Sequence, residues 1–117
     1  MDRYRTKLLV KRHEGLRLKP YKDTVGKLTI GYGRNLEDVG ITLEEAELML
    51  EHDLDRALKD AREVIAGFDE LDEVRQAVLV DMAFNLGRAG LAGFRNMRAA
   101  LALGDFERAA DEMLDSL

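Results

Sequence analysis

The feature that most constrains the fold of this chain is a long apolar stripe with a clearly marked start. Thr42-Leu43-Glu44-Glu45 has the form of a capping box. In such a box the Thr hydroxyl accepts from the Glu amide three residues on, and the Glu carboxylate accepts from the Thr amide. Behind it Leu43, Ala46, Leu50, Leu54, Ala57, Leu58, Ala61, Val64 and Ile65 recur every three or four residues. That spacing places them on one buried helical face. A helix over residues 42–65 is therefore expected to join the segments on either side of it.

The flanks differ in texture. Residues 3–13 predict a first helix, with Tyr4, Leu8 and Leu9 apolar, basic residues on the other face and Gly15 at its end. Between Leu16 and Leu36, apolar and polar residues alternate around the sole proline, Pro20. Asp23-Thr24-Val25-Gly26 has turn chemistry, and Lys27 to Tyr32 is strand-like, so a small irregular antiparallel sheet is expected. After the long helix, Asp72 can cap an apolar helix from Val74 to Leu86, expected to be central to the core and ended by Gly87. Phe94 to Leu103 predicts another helix ending at Gly104, and Asp105 caps a last one.

The class is thus α+β in one domain over 1–117, a sheet-containing lobe (14–41) and a helical lobe (1–13 and 66–117) joined by the helix 42–65. A hydrophobic fraction of 46% with 6% aromatic residues suffices for a core of Leu, Ala, Val and Met. Cysteine is absent, which excludes disulfides, thiolate metal sites and a cysteine nucleophile. No run approaches the roughly 20 apolar residues of a membrane helix, and residues 1–11 lack a signal-peptide apolar region. No His/Asp cluster has ligand spacing, so neither metal nor cofactor is expected.

Charge is unevenly distributed. Residues 1–36 hold ten Lys/Arg against three acids, a net of +7, whereas the remainder holds eight against twenty, a net of −12. The first third is suited to an anionic partner, either nucleic acid or a peptidoglycan wall bearing carboxylates. A recognisable nucleic-acid-reading helix or aromatic platform is missing, so no nucleic-acid partner is expected.

Chemistry concentrates between His13 and Gly33. Eight residues separate Glu14 from Asp23, and five separate Asp23 from Thr29. Glycoside hydrolysis needs one carboxyl that is protonated, to serve the leaving oxygen. It needs a second that is ionised, to stabilise an oxocarbenium-like transition state and to orient water. A helix end and a turn can give two carboxyls unlike surroundings. At a helix C-terminus and beside apolar residues, Glu14 would favour the protonated form, whereas Asp23 near Lys22 and Lys27 would stay ionised. Taken singly, Glu-Gly is an ordinary helix stop and Asp-Thr an ordinary turn. Their joint spacing carries the functional reading.

Glu14-Gly15-Leu16-Arg17-Leu18, Tyr21-Lys22-Asp23-Thr24-x-Gly26 and Thr29-Ile30-Gly31-x-Gly33 resemble the active-site lobe of phage-type lysozymes, glycoside hydrolase family 24, the family of the T-even phage lysozyme. The resemblance continues through Met82-Ala83-Phe84-Asn85-Leu86-Gly87 to Phe94 and covers essentially the whole chain. It implies an endolysin-type muramidase cleaving the β-1,4 bond between N-acetylmuramic acid and N-acetylglucosamine, usually with inversion. Glu14 would be the acid, Asp23 its carboxylate partner and Thr29 a positioner of water, with Asn35, Phe84 and Met97 at glycan-lining positions.

The resemblance also implies an origin in a phage and synthesis in the host bacterial cytoplasm. The cell wall would then be reached through a pore made by another protein, without membrane insertion. Family members continue with a basic, Trp- and Arg-containing helical segment that supplies an arginine near the glutamate. This sequence has no counterpart, so it reads as lacking the family's C-terminal segment. A monomer is expected, with dimers where apolar surface stays uncovered. The competing expectation is a catalytically inert wall-binding remnant.

Overall fold

The computed structural model describes residues 1–115. In order, its elements are α1 (Arg3–Glu14), β1 (Arg17–Lys22), β2 (Leu28–Gly31), β3 (Arg34–Asn35), α2 (Leu43–Val64), a 3-10 turn (Phe68–Glu70), α3 (Glu73–Ala92), α4 (Arg95–Ala102) and α5 (Phe106–Asp115). The α+β class expected from the sequence is observed. Two compact units emerge, Met1–Ala46 and Glu47 onward, with the boundary in the first turn of α2. Helix α1 falls in the first unit together with the sheet, with only Gly15 and Leu16 between it and β1.

In the first unit, Asp2 caps α1 by accepting from the Arg5 amide at 3.1 Å, and the helix closes where the Gly15 amide donates to the Lys11 carbonyl at 2.9 Å. No residue of α1 is buried, so the apolar side expected for Tyr4, Leu8 and Leu9 lies exposed. The sheet is antiparallel in the order β1-β2-β3. Pro20 sits in β1, an edge strand, where a missing amide is tolerated. Thr29 lies on the central strand, in register with Tyr21 on one side and Asn35 on the other. The capping box at Thr42 forms in both directions: the Glu45 amide donates to Thr42 Oγ1 at 3.1 Å and the Thr42 amide to Glu45 Oε1 at 2.9 Å.

The second unit has an apolar core. Ala57, Ala61, Val64 and Ile65 come from α2 and its end, Phe68 from the 3-10 turn, and Leu79, Ala83 and Leu91 from α3. Phe94, Met97, Ala100 and Ala109 complete it. Gln76 ties the turn down by donating to the carbonyls of Phe68 (3.1 Å) and Leu71 (3.0 Å). Arg98 donates to the Val64 carbonyl at 3.3 Å and the Ala92 carbonyl at 2.9 Å, satisfying acceptors at two helix ends.

Two expectations need correction. The apolar stripe of α2 is buried only from Ala57 onward, whereas Leu43, Leu50 and Leu54 are exposed. In α3, Leu79 and Ala83 are buried but Val74, Val78, Phe84 and Leu86 are not, because apolar residues surround that helix and its neighbours cover one side. Gly87 interrupts α3 as expected, with φ of 74° and ψ of 175°, a conformation that L side chains rarely adopt. Helical bonding nevertheless resumes to Ala92, although Gly87 was expected to end the helix.

Candidate active site

Glu14, Asp23 and Thr29 all fall within the first unit, each on a different local structure. Glu14 is the last residue of α1, at the negative end of the helix. It is exposed, contrary to the apolar surroundings expected for it, because α1 ends at the surface. Its carboxyl lies against the backbone of Gly33. A Cβ at that glycine would stand 2.5 Å from Glu14 Oε2 and 2.9 Å from Cδ. Gly33 also has φ of +75°, a backbone conformation that L side chains rarely adopt, and this selects glycine there.

Asp23 closes the turn between β1 and β2. Its Oδ1 accepts from the Val25 amide at 3.0 Å and the Lys27 amide at 2.8 Å, which fixes the carboxylate by two backbone donors. Thr29 is only 3% exposed, and its Oγ1 donates to the Lys27 carbonyl at 2.9 Å. With that proton committed, the hydroxyl can only accept from another group. Lys27 thereby links the two, its amide bonded to Asp23 and its carbonyl to Thr29.

The hairpin that carries Gly33 is braced from the next residue. Arg34 Nη1 donates to Glu45 Oε1 in a short ion pair and to the Gly40 carbonyl at 3.3 Å. The hydrogen bond from Arg34 holds the Glu45 carboxyl down at about 2, with help from the Thr42 amide. In the sequence, Glu45 marks only a helix cap and Arg34 only a basic stretch. Their pairing spans eleven positions and a turn, which local patterns do not report.

The three glycan-lining candidates are not alike. Asn35 is half-buried, in register with Thr29, and its side chain is occupied by Asp38: Nδ2 donates to Oδ2 at 2.9 Å and Oδ1 accepts from the Asp38 amide at 3.0 Å. Phe84, in the second unit, is 41% exposed and borders a cleft of about 280 Å³ with Asp53, Arg56, Asp60 and Gly87. Met97 is 2% exposed, packed in the core beside an apolar cavity of about 120 Å³. It therefore contributes packing rather than open surface.

Comparison with known proteins points to one family. A family model described as phage lysozyme matches residues 11–115. The endolysin of Acyrthosiphon pisum secondary endosymbiont phage 1 is 32% identical over 113 residues, covering 92% of this chain and 73% of that protein. The endolysin of Salmonella phage P22 is 33% identical over 113 residues, covering 90% of this chain and 75% of its own length. The pre-baseplate central spike protein Gp5 of Enterobacteria phage T4 is 34% identical over 137 aligned residues, which take in 93% of this chain but only 24% of the spike protein. The chain thus spans about a quarter of the spike protein and about three quarters of the two endolysins. On these matches, the chain belongs to the phage lysozyme family.

Proposed function

We propose that the chain is a muramidase of the endolysin type, hydrolysing the β-1,4 bond between N-acetylmuramic acid and N-acetylglucosamine in peptidoglycan. The observation that carries this reading is that one small unit holds three polar groups of the kinds glycoside hydrolysis needs: a carboxyl at a helix end seated on Gly33, a carboxylate fixed by two amides, and a hydroxyl linked to it through Lys27.

Glu14 gives its proton to the glycosidic oxygen as the bond to the anomeric carbon breaks, and the aglycone leaves as an alcohol. Asp23 stabilises the oxocarbenium-like centre and takes a proton from the attacking water. Thr29, whose own proton points to Lys27, accepts a hydrogen bond from that water and orients it. Asn35 is a proposed glycan contact within the first unit and Phe84 one within the second, where Met97 packs in the core. Synthesis in the bacterial cytoplasm followed by access to the wall is part of the same proposal. The names of the endolysin relatives support a wall substrate.

The second reading, an inert wall-binding remnant, is favoured by the exposed apolar faces of α1, α2 and α3. Product analysis separates the two. Purified peptidoglycan is digested, reduced with borohydride and hydrolysed, and the reduced amino sugars are identified. Muramitol is expected. Glucosaminitol would mean that the other glycosidic bond is cut, and binding without any reduced sugar would select the remnant.

A further inference from the structure

Along one side of α1, Met1, Arg3, Lys7, Val10, Lys11 and Tyr32 line a groove of about 310 Å³ within the first unit. Arg3, Lys7 and Lys11 recur every four residues, about 6 Å apart along the helix at 1.5 Å per residue. Among the described residues none of the three is in an ion pair. Elsewhere in the unit Arg5 pairs with Asp2, Lys27 with Asp38 and Arg34 with Glu45. Lys11 Nζ lies 5.2 Å from the centre of the Tyr32 ring, an attraction that still leaves its N–H groups able to donate to an anion. The groove therefore offers a row of cations without ion-pair partners among the described residues, beside the exposed apolar side chains of Met1 and Val10. It also shares its elements with the candidate active site: Lys11 is three residues before Glu14 on α1, and Tyr32 directly precedes Gly33.

We propose that this groove is a separate binding site for an acidic peptide, the carboxylate-bearing stem carried on the glycan strand. Repeated carboxylates answer the spaced cations, and the small aliphatic side chains between them can pack on the exposed Met1 and Val10. The inference rests on the wall being the substrate and adds that the enzyme grips the peptide as well as the sugar. Binding through α1 would hold the strand beside Glu14 and would weaken with salt.

The test measures binding, so that it does not depend on turnover. In a Glu14→Gln background, affinity is measured for intact peptidoglycan, for peptidoglycan whose carboxylates have been converted to amides, and for peptide-free glycan strands. Lys7→Gln with Lys11→Gln should weaken binding to intact wall by about fivefold to tenfold, as expected for two exposed charge contacts. It should change little on the other two materials. Lys7→Arg with Lys11→Arg should retain binding. Lys19→Gln with Lys59→Gln removes the same charge outside the groove and should cost less than twofold.

An equal loss in that control would overturn the site in favour of general charge attraction. So would an equal loss on peptide-free strands, or displacement by polyphosphate at lower concentration than by an acidic peptide. Failure of the muramidase reading would show separately, as wild type that binds intact wall but releases no reduced sugar from it.

Discussion

The two units hold together by different means. From Glu47 onward, twelve apolar side chains among the described residues are buried, and cohesion comes from area removed from water. In Met1–Ala46 the one buried side chain among the described residues is polar, Thr29. Order there comes from directional contacts: amides on Asp23, the Thr29 hydroxyl on Lys27, Arg34 on Glu45, and a capping box. Hydrogen bonds of this kind add only about 1 kcal/mol each to stability, but they fix positions closely. The difference teaches that stability and geometry are carried by separate parts of the chain, with the candidate chemistry in the part that is positioned rather than packed.

The largest stability effect should come from the second unit. Leu91 is fully buried, so Leu91→Ala should destabilise by about 2–5 kcal/mol in denaturant unfolding. A loss well below that would mean that this core is loosely packed, and the contrast would weaken. Gly33→Ala should show the reverse pattern. The added Cβ meets the flexible end of Glu14, which can move aside, so the main stability cost is about 1–2 kcal/mol for the left-handed backbone. The carboxyl moves with it, and kcat should fall at least about tenfold while KM changes little. Retained kcat would show that contact with Gly33 does not set the position of Glu14.

The smallest effect concerns the brace. Glu45 titrates at about 2 in the folded chain against an ordinary 4.5, so its pairing with Arg34 stabilises the fold above pH 4.5. That contribution fades as pH falls from 4.5 toward 2. Melting temperatures of wild type and Glu45→Gln should therefore differ modestly at neutral pH and converge near pH 2, the pair being partly solvent-exposed. A constant difference across that range would mean the pair contributes no pH-dependent stability.

Much of this is legible in the sequence, for reasons that differ by element. Thr42 and Glu45 are three residues apart and announce a helix start through a local bond, and Asp72 and Asp105 cap the later helices as their positions imply. Glu14, Asp23 and Thr29, the residues proposed to act, are singled out in the sequence by their joint spacing, and the fold carries all three in the first unit. Gly33 reads as a residue for tight turns, but that it makes room for Glu14 depends on a hairpin folding back beside a helix end. The bond between Asn35 and Asp38 and the pairing of Arg34 with Glu45 likewise depend on where turns bring the chain. Periodicity marks which faces are apolar. It does not report whether a neighbour arrives to cover them, as Leu50, Leu54 and Val74 demonstrate.

The most direct measurement is the release of reducing ends from purified peptidoglycan by wild type and by Glu14→Gln, with melting temperatures recorded on the same samples. Loss of the proton donor should reduce the rate by about 10²–10⁴ while leaving the melting temperature nearly unchanged, since Glu14 is exposed. Equal activity in the two proteins would contradict the assignment of Glu14 as the acid, and with it the claim that the chemistry resides in the first unit.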